Sequence, residues 1–384
     1  MKWVFWASAA VIAYAYAGYP LLLWVRSWWS PRPVMRGTDT PAVSAVMVVR
    51  NEEAAIGPKL QNLLTLEYPQ EKLEVVVVSD GSNDGTAAVL AEFQKNEFAK
   101  NKFQKNGGRV RTMFKPEARG KAAGLNDAIG MARGEVLLFT DARQPIEPGA
   151  LRLLVENFGD PEVGAASGEL MLGNPASGET GKGMGLYWRI EKKIRELESA
   201  SGSVAGATGA IYCARRALLD PLPEGTILDD VLLPMQVVRR GSRVIFDARA
   251  RAWDSPDLGS SREFARKVRT LSGNYQLLQL APWLLSSENA IRFEFISHKL
   301  LRLVVPFALV ALLVASLFLS APFYRVALFA QLAFYALSLI ALGGMKIGPL
   351  SRIADPARTF VVLNSAAMVA FVNFVTGRKA VWIR

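Results

Sequence analysis

LEVVVVSDGSNDGT, residues 73–86, is the stretch on which the fold turns. Four consecutive valines leave no face for water, so Leu73 to Val78 reads as a strand buried on both sides rather than an alternating, half-solvated one. Asp80-Gly81-Ser82-Asn83-Asp84-Gly85 then supplies turn and capping residues, and a helical pattern runs from Thr86 to Lys100. The same strand, polar loop and helix recur on either side. Val43 to Val49 is followed by a helical pattern from Glu52 to Leu66, Val110 to Phe114 by one from Ala122 to Met131, and Val136 to Phe139 is a further short strand. Strands that are apolar throughout and alternate with helices predict an α/β domain: a Rossmann-like, mostly parallel sheet with helices on both faces, expected over residues 40–280.

Moving outward, the apolar residues gather at the two ends. Lys2 and Arg26 bracket an uncharged run that, at ~1.5 Å per residue, reaches across a ~30 Å hydrocarbon core. Trp3, Trp6, Trp24, Trp28 and Trp29 crowd its ends as an interfacial belt would. Ala15-Tyr16-Ala17 offers a signal-peptidase site, but the apolar run continues past it to Trp24, which favours an anchor over residues 1–30. Three more runs, Leu303 to Tyr324, Val326 to Met345 and Thr359 to Gly377, predict about three transmembrane helices over 303–377. The mixed segment 284–302 is expected to form an amphipathic helix at the interface, with a simple connecting helix the other reading. Basic residues after the first anchor place the globular part of a multi-pass membrane protein in the cytoplasm, although Arg378, Lys379 and Arg384 then fall on the disfavoured side.

The composition closes off several chemistries. Cys213 and His298 are the only cysteine and the only histidine, which excludes an internal disulfide, a cysteine-rich zinc site and a Ser-His-Asp or Cys-His mechanism in the globular part. Acid–base chemistry must then use carboxylates. Cys213 reads as a small buried residue and His298 as a headgroup-level one. The net charge of +11 suits membrane flanks or a phosphate-bearing ligand; no basic stripe or aromatic RNA-reading motif points to nucleic acid.

In open parallel sheets ligands sit at the carboxyl ends of the strands. Three such ends carry polar loops here: Arg50-Asn51-Glu52-Glu53, Asp80 to Thr86, and Thr140-Asp141-Ala142-Arg143. Asp84 and Thr86 read as capping residues. Trp188 and Glu191 fall on an expected helix, Trp188 as a packing residue, with contact to an acceptor the other possibility.

Val49-Arg-Asn-Glu-Glu53, Asp80-Gly-Ser-Asn-Asp-Gly-Thr86 and Asp141 together resemble the nucleotide-sugar half of family 2 glycosyltransferases, which have the GT-A fold. The resemblance continues in family order through Gly120-Lys121-Ala-Ala-Gly-Leu-Asn126, Thr208-Gly-Ala-Ile-Tyr212 with Arg215-Arg216, Leu228-Asp229-Asp230 and Arg266-Lys-Val-Arg269. The flanking helices are similar to the membrane-integrated branch that includes hyaluronan, chitin-oligosaccharide and cellulose synthases. The resemblance implies nucleotide binding by Asn51, Glu53, Asp80, Lys121 and Asp141, and a general base at Asp230. It offers Arg143, Glu169, Arg216, Arg266 and Arg269 as contacts to diphosphate or acceptor. It also implies a divalent metal, Mg2+ or Mn2+, on Asp141, but Arg143 stands where the family has its second acid. The family's Gln-x-x-Arg-Trp reads Arg266-Lys-Val-Arg-Thr270, without the tryptophan, which points to one or few transfers rather than processive synthesis.

The expected activity is inverting transfer of a sugar from a nucleotide diphosphate donor, expected to be UDP-linked, to a hydroxyl of a membrane-associated lipid or glycan. Two rival readings are a processive polysaccharide synthase and a non-catalytic nucleotide-sugar-binding scaffold.

Overall fold

Seven strands form one sheet in the order β3-β2-β1-β4-β6-β5-β7: β1 Val43–Val49, β2 Leu73–Asp80, β3 Val110–Lys115, β4 Val136–Phe139, β5 Val163–Leu172, β6 Tyr212–Arg215 and β7 Arg243–Asp254. This is a computed structural model, and it describes residues 1–100, 109–173, 186–254, 260–343 and 351–378. The first four strands are mutually parallel, β5 is parallel to β7, and β6 alone runs antiparallel to its neighbours β4 and β5. Successive residues of the central strands serve opposite cores. Val75 and Val77 belong to one buried cluster with Ala45, Met47 and Leu138, while Val76 and Val78 belong to another with Val46, Leu137 and Phe139. Each such side chain, fully removed from water, contributes ~1.5–3 kcal/mol, so the valine run of β2 serves two layers at once. Helix α3 (Glu53–Leu64) packs with α4 (Thr86–Lys100) on one face; α5 (Lys121–Met131) lies against β1 and β2 on the other.

The remaining helices are α6 (Ala150–Glu156), α7 (Leu186–Ser201), α8 (Asp229–Arg239) and α9 (Ser260–Leu280), then the apolar ones. Helix α1 (Lys2–Ala13) passes through a π-turn at Tyr14–Gly18 into α2 (Tyr19–Trp29). Among the described residues, four helices are long and apolar enough to cross a membrane: Lys2–Trp29, Arg292–Leu317, Pro322–Leu342 and Ile353–Val375. Trp3, Trp28 and Trp29 are 79–89% exposed at the ends of the first, as interfacial anchors would be. Two sequence expectations change here. Segment 284–302 is not a separate interfacial helix: α10 (Arg292–Phe295) and a π-turn at Ile296–Leu300 lead without a break into α11 (Leu301–Leu317). The next turn falls at 318–321, ahead of α12 (Pro322–Leu342), because Pro322 suits a helix's first turn; Arg325 lies inside α12 rather than between helices. Helix α13 (Ser351–Val375) packs along α9, with Tyr275 stacked on Phe374 at 5.2 Å.

The two glycines of α5 differ in what they tolerate. A Cβ on Gly124 would lie 2.7 Å from Val48 Cγ1, whereas one on Gly130 would meet nothing within 4 Å. Gly124→Val is therefore expected to lower the melting temperature by several degrees, at a cost of ~1–3 kcal/mol. Gly130→Ala should leave it unchanged or raise it, which a fluorescence melting curve in detergent checks directly.

Candidate active site

The site lies where the parallel strands end. Asn51 follows β1 with φ +55°, a left-handed conformation that asparagine tolerates. Its Oδ1 accepts from the Asn83 amide at 2.9 Å, and its own amide donates to Ser82 Oγ at 3.2 Å. The loops after β1 and β2 are thereby tied together. Asp84 Oδ1 accepts from the Thr86 amide at 3.0 Å, the expected capping role at the start of α4. Asp80, at the end of β2 and 3% exposed, accepts one hydrogen bond from each of the Arg119 and Gly120 amides, both at 2.8 Å. Gly120 has φ +91°, open to glycine without strain, and it releases the chain into α5 at Lys121.

Lys121 is the centre of the arrangement. Its Nζ lies 3.0 Å from Asp141, at the end of β4, and 3.1 Å from Asp229, at the start of α8. Burial works against its charge, but Asp141, Asp229 and Asp230 together hold its pKa above the ordinary lysine value. Beside it, Asp230 has its pKa raised to about 6, first by burial and then by the neighbouring charge of Asp229, with Lys121 opposing. Gly209 backs this carboxylate; a Cβ there would stand 3.3 Å from Asp230 Oδ2. The Ala207 amide donates to the Asp230 carbonyl at 2.7 Å, so loop 207–209 and the start of α8 form one wall.

These groups line a cleft of about 660 Å3 together with Asn51, Arg143, Glu169, Trp188, Glu191, Lys192, Arg195, Asp254, Arg266 and Arg269. Arg143 Nε donates to both oxygens of Glu52, at 2.9 and 3.0 Å, with its side chain still 59% exposed at the rim. Glu169 on β5 is paired with Lys192 at 2.8 Å, and Arg266 on α9 approaches Asp254 at 3.7 Å.

The structure brings Asn51, Asp80, Lys121, Asp141, Arg143, Glu169, Asp230, Arg266 and Arg269 into one cleft and leaves two expected residues outside it. Glu53 braces the neighbouring loop instead, its Oε2 accepting from the Gly85 amide at 3.1 Å. Arg216 lies at the opposite edge of the sheet, its Nη1 donating to the Ala132 carbonyl at 3.0 Å. The antiparallel direction of β6 is the reason: its carboxyl end pairs with the beginning of β4, Arg215 opposite Val136, while its amino end faces the cleft. Trp188 is 40% exposed along the cleft rather than packed away. His298 is 2% exposed and enclosed by protein, with Nδ1 2.8 Å from Glu198 and Nε2 3.1 Å from Glu191. Cys213 is buried as expected.

Sequence reasoning passed over Lys59 and Asn62 of α3 and the contact of Arg195 Nη1 with Thr208 Oγ1 at 2.7 Å. A lysine on the stripe of Ile56, Leu60 and Leu63 was the available signal for the first.

With this geometry in place, residues 44–221 match the model of glycosyl transferase family 2. They form a family 2 glycosyltransferase domain. Relatives include the poly-beta-1,6-N-acetyl-D-glucosamine synthase of Staphylococcus epidermidis, 25% identical over 247 residues that cover 63% of this chain and 56% of that protein. Another is the beta-monoglucosyldiacylglycerol synthase of Synechocystis sp., 26% identical over 200 residues, 51% of this chain and 40% of that protein. The matched region thus spans about half the length of these relatives. Among solved structures, a mannosyltransferase from Pyrobaculum calidifontis, described in complex with GDP-Man and Mn2+, shares the fold with a TM-score of 0.71 at 23% identity, over 98% of this chain and all of that one. The fold shared with that structure therefore extends beyond the matched family segment to the apolar helices.

If Asp230 accepts a proton during turnover it must be ionised beforehand. Its raised pKa sets the sign: activity should fall as the pH drops through about 6 and level off above. A pH–rate profile checks this. In Asp229→Asn, which removes the like charge, the acid limb should move to lower pH.

Proposed function

We propose that this chain transfers a sugar from a nucleotide diphosphate donor to the hydroxyl of a membrane-associated lipid or glycan, with inversion, and with Asp230 as the general base. The observation that carries the reading is the placement of Asp230, a carboxylate of raised pKa, beside the Lys121 ammonium shared by Asp141 and Asp229. In this reading the nucleotide lies along Asn51 and Asp80, and the diphosphate meets Lys121 and the exposed guanidinium of Arg143. Departure of a nucleoside diphosphate leaves negative charge on its oxygens, and preorganised cations at that point lower the barrier. The acceptor hydroxyl attacks the anomeric carbon from the face opposite the leaving group while Asp230 takes its proton. One displacement with one base inverts the centre, and the cleft supplies alignment.

The donor set does not fit a divalent ion held by two protein carboxylates. Asp141 is already paired with Lys121, and the position two residues on is Arg143, which pairs with Glu52. No group of three or more metal-ligating side chains occurs among the described residues. In this reading the cleft's cations, Lys121, Arg143, Arg266 and Arg269, face the diphosphate.

The acceptor reading rests on the cleft walls. Helices α7 and α9 carry Trp188, Arg266 and Arg269, and both pack against the apolar helices, α7 on α2 and α9 on α13. An acceptor held at the membrane face would arrive between them. The names of the two relatives span a polysaccharide and a glycolipid product; the absence of a tryptophan from Arg266-Lys-Val-Arg-Thr270 favours one or few transfers. Basic residues beyond the first apolar helix, Arg32 and Arg36, favour a cytoplasmic catalytic domain.

The test is donor hydrolysis by detergent-solubilised protein across a panel of UDP- and GDP-sugars, with membrane lipid extract added in parallel. Nucleoside diphosphate release from one donor is expected, reduced ~100-fold or more in Asp230→Asn, the scale of a lost general base. Tight nucleotide binding with no release under any condition would instead support the scaffold reading.

A further inference from the structure

Lys59 is 2% exposed in the middle of the sheet's hydrophobic layer, between Ile56, Leu60 and Leu63. Its partners are a hydroxyl and a carbonyl rather than a carboxylate: Nζ donates to Thr140 Oγ1 at 2.8 Å and to the Gln144 carbonyl at 2.5 Å. One turn along α3, Asn62 grips the same segment from both sides. Its Nδ2 donates to the Ile146 carbonyl and its Oδ1 accepts from the Ile146 amide, each at 2.8 Å. The segment so held, 140–146, carries Asp141 and Arg143 into the cleft. Thr140 passes the contact on, its hydroxyl donating to the Ala210 carbonyl at 2.8 Å beside the loop that backs Asp230.

Apolar side chains would fill this space at lower cost. An ammonium taken from water without an ionic partner is penalised by several kcal/mol, and burial pushes the Lys59 pKa down to about 7 against the pull of Asp141. Segment 140–146 has no helix or ladder of its own after β4 ends at Phe139, apart from an isolated bridge between Ile146 and Ala252. Apart from that bridge, where the Trp253 amide donates to the Pro145 carbonyl at 2.9 Å, side-chain hydrogen bonds from α3 hold its path from below the cleft.

Building on the nucleotide-sugar reading above, we propose that Lys59 and Asn62 are positioning residues of the donor site: a buried clamp on α3 that sets the turn bearing Asp141 and Arg143 for the donor diphosphate. Neither side chain touches the donor.

The test is calorimetric titration of UDP and of GDP into the detergent-solubilised full chain, alongside melting temperatures, for wild type, Lys59→Met and Asn62→Leu. The clamp predicts that Lys59→Met melts at or above the wild-type temperature yet binds the preferred nucleotide at least ~10-fold more weakly, the scale of hydrogen bonds to a charged group. Asn62→Leu should lose affinity in the same direction. A purely structural role would lower the melting temperature and leave the affinity of the folded protein unchanged, and that result overturns the proposal. Should Lys59→Met fail to fold, Thr140→Val decides. It keeps the lysine and removes one acceptor, so it should weaken binding several-fold; wild-type affinity there overturns the clamp. Wild-type protein that binds neither nucleotide sinks the donor reading itself, and the clamp with it.

Discussion

The ammonium of Lys121 is the constraint on which the cleft depends. Asp141, Asp229 and Asp230 converge from β4 and α8 with the Lys121 ammonium lying among them, and an opposite charge at that point offsets the repulsion of like ones. Lys121 can serve because it opens α5, and α5 begins where it does because Asp80 holds the two preceding amides. The sequence from the valine run of β2 to Asp80, then to Gly120 and Lys121, is thus one mechanical chain. Core packing fixes the strand, the strand's last residue fixes a loop, and the loop delivers the charge.

A second chain of contacts runs from the cleft toward the apolar helices. Glu191 lines the cleft on α7 and pairs with Arg302 of α11 at 2.6 Å and with His298 at 3.1 Å. Glu198, two turns along the same face, is fully buried against His298 and the Tyr19 hydroxyl. Arg195 continues from Glu191 to Thr208, in the loop that backs Asp230. Two of the four apolar helices long enough to cross a membrane, Lys2–Trp29 and Arg292–Leu317, are joined by this polar seam to the wall of the cleft. Buried charges so paired are costly to separate, so α7 and the helices it touches should move as one unit.

Much of this was legible in the sequence, for physical reasons that also mark where reading failed. β1 to β4 and their loops announced themselves through valine-rich runs ending in turn formers. The second half of the sheet did not: β6 is four residues long, and β5 and β7 interleave glycine, arginine and acids within buried strands. Without the direction of β6, Arg216 could be assigned to the wrong edge. The burial of His298 was not visible because it depends on two glutamates about a hundred residues away, which no local pattern reveals. Lys59 was overlooked because a lysine on a helix is normally a solvated one; only its place on the apolar stripe distinguished it.

The central claim, that fixed protein charge centred on Lys121 holds the donor diphosphate, is tested most directly by nucleotide affinity in the presence of EDTA or Mn2+, for wild type and Lys121→Met. The account predicts that wild-type protein binds its nucleoside diphosphate in EDTA and that Lys121→Met loses at least ~10-fold, about 1.4 kcal/mol. Binding that appears only with Mn2+ and is unchanged in Lys121→Met would contradict it.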